Sequence, residues 1–331
     1  MRKIARELGI STATVSRSLR GDSRVRPEKR DWIVQEVERR GYVANSYLGK
    51  VMSSVRKGEA HSFRGTLGLL WTGCEPRSDA RLRDMRAGVL ERAGESDFAV
   101  DEFTVSRLAP GQLSTIVHNR GIEGLLIVAP ALQGELTTLN MDLENLSCVS
   151  LGAALTSPSL HRIRFDYFEG VRLALAEATR QVCGPVAALW NDETDEVARR
   201  AARAAFITHH SEGLETADRL FLTPASLRSR ETRSFLKKSG VKGLIIESSM
   251  DCPDWLETLV PPQRQVLFRR PANRPCLGWI DTQNRLLGSW GLDFLAAKIH
   301  QRERGVPALR QELMVPPIWN SGALVRGSRK A

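Results

Sequence analysis

Two short apolar stretches each occur twice in this sequence, and the copies lie equally far apart in both cases. The first pair consists of TLGLLW at 66–71 and PVAALW at 185–190, and the second of RGIEGLLIV at 120–128 and SGVKGLIIE at 239–247. Both pairs are offset by 119 residues, which is about the size of one domain. Because unrelated coincidences would not share an offset, the repeat predicts two similar lobes that contain equivalent strands.

The lobes are predicted to be α/β structures. From about residue 64 to the end of the chain, short apolar runs alternate with amphipathic stretches, which is typical of a domain with mostly parallel strands. Two open parallel sheets in one chain place their strand ends around a shared cleft, where such folds bind ligands. The predicted fold of 64–331 is therefore a two-lobed α/β core with parallel sheets and a cleft between the lobes.

The N-terminal residues 1–44 have a different pattern, that of a small all-α unit. Apolar Ile4 and Leu8 are spaced for one helical face, and Gly9 follows them as the residue that most readily adopts a left-handed turn. Ser11 or Thr12 can then cap a second helix. The pattern predicts a helix, a tight turn and a second helix.

A hydrophobic core for this unit is predicted from the next two helices. In the second helix, Val15 and Leu19 lie four residues apart and share a face. A third amphipathic helix runs from about residue 27 to 40 and begins with proline at a first-turn position. Its predicted core residues are Trp32, Ile33 and Val37.

The outward face of the second helix carries short hydrogen-bonding side chains and guanidinium groups. These residues are Thr12, Ala13, Ser16, Arg17 and Arg20. Such a helix can lie close to a DNA backbone and reach base edges, where arginine contacts guanine through two hydrogen bonds. The alternative is a surface helical hairpin with solvated arginines, and the helix-glycine-helix spacing alone does not decide between the two.

Charge supports the DNA-binding interpretation independently. The first 60 residues hold 14 of the 48 Lys and Arg residues but only 7 of the 38 Asp and Glu residues, so they carry +7 of the net charge of +10. This concentration is expected of a domain that neutralises phosphates. A membrane-surface segment could also be basic, but it would have one wide apolar face instead of a three-helix core pattern.

Three N-terminal segments resemble, in order and spacing, the DNA-binding headpiece of the lactose-repressor (LacI/GalR) family of bacterial transcription regulators. They are ISTATVSRSLRG at 10–21, VRPEKR at 25–30 and RRGYVAN at 39–45. The resemblance implies that Thr12, Ala13 and Arg17 face bases. It also implies positions near phosphates for Ser11, Thr14, Ser16 and Arg24.

The same resemblance implies a hinge helix within the predicted linker at 45–63. Asn45 begins this segment, and Val51 matches the position of an apolar side chain that enters the minor groove and partly unstacks a base step. Ala44 and Gly49 depart from the usual pattern, and an interior glycine costs about 1 kcal/mol of helix stability relative to alanine. We therefore expect a hinge that is disordered without DNA, the alternative being a plain flexible linker.

The rest of the chain resembles the periplasmic-binding-protein-like core that follows the headpiece in this family. The segments that carry the resemblance are HRIRFDYFEGVRLAL at 161–175, GWIDTQNRLLGSWGLDFLAAKI at 278–299 and VPPIWNSGALVRG at 315–327. They are expected to form the crossover into the second lobe, a return helix and a C-terminal strand. The predicted boundaries are 64–163 with 283–310 for lobe one, and 166–281 with 311–325 for lobe two.

Four residues near strand ends are candidates for effector binding. Trp71 and Trp190 occupy equivalent positions of the repeat and could stack on a ligand from opposite sides of the cleft, or could be core aromatic residues instead. Asp166 and Asp281 are polar candidates that could equally order the chain crossings between the lobes.

Two arginines complete the candidate effector site. The family often places an arginine four residues before an aromatic residue of the second lobe, but Ala202 stands at that distance from Phe206. Arg199 and Arg200 lie nearby and are the candidates instead. Basic side chains at the cleft suit a phosphorylated or acidic ligand, although solvated surface arginines are more common. The effector is expected to be a sugar, a sugar derivative or an acidic metabolite.

An enzyme is not expected. The sequence contains no GxxxxGK[ST] phosphate loop, no HExxH and no GxSxG motif. Its five cysteines lack metal-like spacing and are expected to be reduced thiols, so neither a metal nor another cofactor is predicted. A stand-alone solute-binding protein would share the core fold, but the sequence starts with a charged helix-turn-helix pattern where an apolar export segment would stand, so this alternative is disfavoured.

Together these features predict a cytoplasmic transcriptional regulator, a repressor, that binds double-stranded operator DNA in a sequence-specific way. The expected form is a homodimer that recognises a pseudo-palindromic site. A small ligand between the lobes is expected to modulate that binding.

Overall fold

The computed structural model describes residues 2–19, 24–39, 64–72, 79–105, 111–129, 137–247, 249–271 and 274–322. The predicted hinge at 45–63, with Asn45 and Val51, lies outside the described residues, as does Arg20. Among the described helices, none combines the length and the apolar character that crossing a bilayer requires.

The N-terminal unit consists of α1 (Arg2–Glu7), α2 (Thr12–Leu19) and α3 (Pro27–Arg39). Gly9 takes a φ of +65° in the turn between α1 and α2. A small core forms from Ala5, Val15, Ile33 and Val37.

One core prediction for this unit is wrong. Trp32 is 46% exposed, whereas its neighbour Ile33 is fully buried. Adjacent helical residues point about 100° apart, so Ile33 and Val37, four residues apart, share the core face while Trp32 faces away from it.

The described part of the core domain contains two six-stranded sheets and a small sheet of two strands. Its strands are β1 Gly65–Trp71, β2 Phe98–Thr104, β3 Ile122–Val128, β4 Thr137–Thr138, β5 Ser147–Leu151, β6 Leu155–Ser157, β7 His161–Phe165, β8 Val186–Leu189, β9 Phe221–Leu222, β10 Gly243–Ile246, β11 Gln265–Leu267, β12 Gly278–Asp281, β13 Glu312–Val315 and β14 Ile318–Ser321. The small sheet consists of β4 and β6. Most central strands are apolar runs buried on both faces, as parallel sheets covered by helices require.

Helices cover these sheets. They are α4 Ala80–Glu95, α5 Gln112–Asn119, α6 Tyr167–Val182, α7 Asp192–Val197, α8 Ala201–His209, α9 Leu214–Leu220, α10 Arg230–Lys238, α11 Asp254–Leu259 and α12 Asn284–His300, with 3₁₀ turns at Ser226–Arg228 and Pro262–Arg264.

The two sheets have the same strand order, which is what the 119-residue repeat predicts. Lobe one is ordered β13-β7-β5-β3-β1-β2, and lobe two is ordered β14-β12-β11-β10-β8-β9. The repeated sequence stretches form the equivalent pairs β1 with β8 and β3 with β10. Lobe one is parallel throughout, whereas β14 pairs antiparallel with β12 at the edge of lobe two.

The described chain crosses between the lobes after β7, after β12 and between β13 and β14. The third crossing corrects the predicted boundary at 310/311, because β13 pairs with β7 and so extends lobe one to Val315. Pro316 and Pro317 follow at once, and neither has an amide hydrogen with which to continue the strand. Lobe two resumes at β14.

Helices α4 and α12 of lobe one approach each other through glycines. A Cβ atom on Gly88 would lie 1.9 Å from the carbonyl oxygen of Arg285, and one on Gly288 would lie 2.1 Å from that of Met85. Both distances are far below van der Waals contact, so the two helix backbones pack together only because these positions lack side chains. This contact fixes α12, the helix that follows the second crossing.

A polar network ties the end of α12 to the edge of lobe one. The Nζ of Lys298, which is 3% exposed, donates to Glu303 Oε2 at 2.8 Å and to Gln311 Oε1 at 2.6 Å. The backbone amide of Gln311 donates to His161 Nδ1 at 3.0 Å, so the imidazole proton resides on Nε2 and is donated to Glu303 Oε1 at 2.7 Å. Glu303 is thus the acceptor shared by both side chains.

We expect Glu303→Gln to destabilise the core at neutral pH. Hydrogen bonding and charge from Lys298 and His161 hold the pKa of Glu303 below its usual value of 4.5. A lowered pKa stabilises the fold above pH 4.5, and this stabilisation is lost as the pH falls through the folded-state pKa. The amide should cost about 1–2 kcal/mol at pH 7, because a buried ammonium loses its carboxylate partner while the site stays partly open to water.

Thermal unfolding at a series of pH values from 7 downwards measures this effect. The loss of stability in the variant should be clear at pH 7 and should shrink as the pH falls through the lowered folded-state pKa of Glu303, because the wild-type carboxylate then becomes protonated too. The control is Glu95→Gln, whose side chain is 65% exposed in an ion pair with Arg92 and should contribute little. Equal melting temperatures for wild type and Glu303→Gln at pH 7 would contradict the role of this network.

Candidate DNA-binding surface and interlobe cleft

The hydroxyl groups at the start of α2 fix the N-terminus of the predicted DNA-reading helix. Ser11 Oγ accepts a hydrogen bond from the backbone amide of Thr14 at 3.1 Å and lies 2.8 Å from Thr14 Oγ1. Ser18 Oγ donates to the carbonyl oxygen of Thr14 at 3.0 Å on the core side. Ser11 is therefore the N-cap residue, and it leaves the first turn of α2 ordered and open.

The predicted DNA-contacting residues that the structure describes lie at the surface. Ser11, Thr12, Ala13 and Arg24 are exposed. Thr14 and Arg17 are half-buried, and the side chain of Ser16 lies outside the described residues. Thr12, Ala13 and Arg17 thus share a solvent-facing surface of α2 opposite the buried Val15. Their contacts with DNA stay predictions.

A cavity lies between the two lobes of the core at the carboxyl ends of the strands. The space in it that the centre of a water-sized sphere can reach is about 80 Å³. The residues that line it are Arg81, Leu82, Met85, Gly152, Ala153, Arg164, Phe165, Asn284 and Leu287 from lobe one, Tyr167, Thr194, Val197 and Ala198 from lobe two, and Thr282 at a crossing. This is the place where the sequence predicts a ligand cleft.

Arg81 brings positive charge to this cavity from the first turn of α4. Asp79 caps α4 by accepting from the amide of Arg81 at 2.7 Å, and it also binds the guanidinium Nη2 at 2.8 Å. Burial acts to lower the pKa of Arg81, but the Asp79 carboxylate raises it above its usual value, with smaller contributions from Tyr167 and Glu247 of lobe two. Arg81 therefore stays charged while it faces the other lobe.

Two hydroxyl groups of lobe two also reach the cavity. Burial and the neighbouring Glu247 carboxylate raise the pKa of Tyr167 to about 12, so its hydroxyl keeps its proton and can donate a hydrogen bond. Thr194 is 5% exposed, and its Oγ1 atom has no hydrogen-bond partner among the described residues. An unsatisfied buried hydroxyl at a cavity wall is a candidate contact for a ligand.

Of the two alternatives for Trp71 and Trp190, stacking on a ligand or a place in the core, the structure favours the core. Trp71 and Trp190 are both fully buried, so neither presents a ring face to the cleft. Trp71 donates from Nε1 to Glu102 on β2 at 3.4 Å. Trp190 packs edge-on against Phe268 with ring centroids 4.8 Å apart and stacks on Phe221. Both side chains belong to the cores of their lobes.

The two aspartates order the crossings. Asp166 caps α6 by accepting from the amide of Glu169 at 3.0 Å, and Asp281 accepts from the amide of Gln283 at 2.8 Å. Asp281 also borders a second interlobe space lined by Arg81 and Arg269, whereas Asp166 lines neither space.

Arg199 and Arg200 form the turn between α7 and α8. Both adopt left-handed backbone angles, with φ of 60° and 57°, which is strained for residues with side chains. The buried Asp195 holds this turn by accepting from the amide of Ala202 at 3.0 Å. Both arginines are exposed, and neither lines the cavity, although the preceding Ala198 does. Their effector contacts stay predictions.

Sequence reasoning missed Arg81, Arg164, Tyr167 and Thr194. The available signal was the repeat itself, because an offset of 119 residues relates Arg81 to Arg200. The start of α4, which follows β1 in lobe one, is therefore equivalent to the turn of lobe two in which Arg200 was predicted to bind the effector. Within the described residues, no group of His, Cys, Asp and Glu side chains is arranged to hold a metal ion.

Comparison with known proteins adds a family for the N-terminal unit. Residues 1–45 match the family model of bacterial regulatory proteins, lacI family. This match confirms the resemblance of the headpiece that the sequence segments carry. No curated protein matches the chain in sequence.

Solved structures similar to this chain have the same overall fold. The lac repressor dimer bound to operator and the anti-inducer ONPF is 16% identical, with a TM-score of 0.53 and 96% of each chain covered. The complex of transcriptional regulator CelR with cellobiose is 14% identical, with a TM-score of 0.52 over 96% of this chain and 97% of that one. A ribose operon repressor protein from Lactobacillus acidophilus is 10% identical, with a TM-score of 0.51 over 78% of this chain and 97% of that one. The predicted fold class is confirmed.

Proposed function

We propose that this chain, whose first 45 residues match the lacI family of bacterial regulatory proteins, is a sequence-specific DNA-binding transcriptional regulator. The observation that carries the proposal is the exposed face of α2, with Thr12, Ala13 and Arg17 opposite a buried Val15 in a unit of that family. The concentration of positive charge in the first 60 residues supports it.

The proposed active form is a homodimer that acts as a repressor on a pseudo-palindromic operator. Two headpieces related by a twofold axis read two inverted half-sites. A small ligand in the interlobe cavity changes the relative arrangement of the lobes and thereby the DNA affinity, by no more than its own preference between the two states. The unsatisfied Thr194 hydroxyl and the charged Arg81 support a ligand at this place.

The proposal assigns no catalytic role to the chain and locates it in the bacterial cytoplasm, where its operator DNA is. Its partners are double-stranded DNA, a second copy of the chain and the effector. The lac repressor structure with the same fold contains a dimer bound to operator, and the CelR structure contains cellobiose.

Selection from a pool of random duplex DNA tests the proposed function. We expect the full chain to enrich a motif of two inverted half-sites whose centres lie about one helical turn, or 34–36 Å, apart. The control is Val15→Asp, which places a charge in the headpiece core and should abolish enrichment while the core domain keeps its own thermal transition. Binding that never distinguishes one sequence from another would overturn the proposal.

A further inference from the structure

We propose that four arginines at the junction of the lobes form a binding site for the phosphate group of the effector. They are Arg162, Arg164 and Arg310 of lobe one and Arg199 of lobe two. The role of the anion as effector rests on the proposed function, whereas the site itself rests on the arrangement of these side chains.

One carboxylate holds two of the four arginines. Glu312 lies opposite Arg162 in the register of β13 and β7. Its Oε1 accepts from Nε of Arg164, and its Oε2 accepts from Nη2 of Arg310 at 3.1 Å. Both carboxylate oxygens of Glu312 thus accept from Arg164 and Arg310, and neither accepts from Arg162, the residue opposite Glu312 on the neighbouring strand.

Arg162 is the unsatisfied member of this group. It is 5% exposed and donates from Nη2 to the carbonyl oxygen of Leu155, but its Nε has no hydrogen-bond partner among the described residues. Burial lowers the pKa of Arg162, and so do the charges of Arg310, Arg199 and Arg164, against the opposing effect of Glu312. A buried guanidinium is normally paired, so this arrangement favours an added anion.

Lobe two contributes Arg199 because the end of α7 packs into lobe one. Val197 is buried in the same hydrophobic cluster as Ala154 and Leu155 of lobe one, and Leu155 is the residue that binds Arg162. Arg199 follows two residues later in a left-handed conformation. Arg199 is thus close enough to the lobe-one arginines for its charge to act on Arg162.

A phosphate group fits this cluster by charge and by geometry. Arginine presents planar pairs of N–H donors that match phosphate oxygens, and such charge-assisted hydrogen bonds are the strong ones in proteins. The rest of a phosphorylated ligand would lie in the adjoining cavity, which is lined by Arg164, Ala153 and Ala198. Because the anion would bind both lobes at once, it would favour the state in which they are closed.

Calorimetric titration of the full chain at constant ionic strength tests the proposal, with inorganic phosphate, glucose 6-phosphate and glucose as probes. We expect saturable binding of a phosphate-containing probe and none of glucose. Preference for inorganic phosphate identifies free phosphate as the source, and preference for glucose 6-phosphate identifies a phosphorylated metabolite. Arg199→Gln should weaken the binding about tenfold or more, which corresponds to about 1.4 kcal/mol.

The matched control is Arg302→Gln. Arg302 is also exposed and left-handed, with φ of 56°, but it lies at the end of α12. Its replacement should change phosphate affinity less than twofold. Equal weakening by both variants, or no saturable phosphate binding by the wild type, would overturn the site. If the chain binds its selected DNA but no phosphate, the proposed anion site is wrong and the proposed regulator function is supported. If it binds phosphate but selects no DNA sequence, the anion site is supported and the proposed function is wrong.

Discussion

Replacing Gly88 with alanine should destabilise the core by about 2–3 kcal/mol, although the change adds one methyl group. The added Cβ would lie 1.9 Å from the carbonyl oxygen of Arg285 and 2.8 Å from its carbonyl carbon. These are backbone atoms that no rotamer change can move, so α4 and α12 must separate. Gly288 faces Met85 in the same way, so the close approach is reciprocal.

Thermal unfolding of the full chain measures the effect, with Gly94→Ala as the control in the same helix. A Cβ at Gly94 meets nothing within 4 Å, so alanine there should stabilise α4 by about 0.5–1 kcal/mol through helix propensity. The melting temperature of Gly88→Ala should fall by roughly 5–10 °C. A wild-type melting temperature for this variant would show that the helices do not pack through Gly88.

The contact between α4 and α12 also concerns the cleft. Arg81 lies in the first turn of α4 and Asn284 at the start of α12, and both line the interlobe cavity. Separating the two helices should therefore move these groups apart as well as lower stability. We expect Gly88→Ala to weaken ligand binding by more than the lower stability of the fold alone would explain.

Much of the fold was predictable because strands buried on both faces leave apolar runs in the sequence. The repeated runs at 66–71 and 185–190 located equivalent strands, and their common offset predicted a shared topology. The boundary of the lobes was less predictable. Two strands separated only by Pro316 and Pro317 belong to different sheets, and sequence pattern does not reveal which sheet an edge strand joins.

The cleft residues were less predictable, since their positions depend on partners far away in the chain. Trp71 and Trp190 do end apolar runs, but the sequence does not tell whether such a residue faces the helices or the cleft. Arg164 gains its place from Glu312, a residue 148 positions later. Long-range ion pairs of this kind leave no local periodicity that could indicate them.

The headpiece is the part where sequence and structure agree most closely. Gly9, Val15 and the N-cap Ser11 all have the local roles that the pattern predicts. The turn at Gly9 and the cap at Ser11 depend on neighbours within a few residues, and the core face of Val15 follows from helical periodicity, which explains why these roles could be inferred. Base recognition is a further step that the exposed side chains of α2 must supply.

Arg17→Ala should cost about 1–3 kcal/mol of operator affinity and relax the preference at one base position, if Arg17 contacts guanine through two hydrogen bonds. Arg17 is half-buried on α2 beside the exposed Thr12 and Ala13. The measurement is the affinity for the selected operator and for single-base variants of it.

Arg30→Ala is the matched control, because it removes the same charge from α3, where Arg30 pairs with Asp31 at 3.3 Å. It should slightly weaken the binding of all DNA sequences and leave the base preferences unchanged, because the lost positive charge interacts with the phosphates. The affinities for different DNA sequences therefore distinguish an arginine that contacts a base from one that contacts a phosphate. Arg17→Ala could instead weaken the binding of all sequences equally and reduce the salt dependence of the affinity by about one phosphate contact. That result would show that Arg17 contacts the DNA backbone, and base recognition would then fall to Thr12 and Ala13.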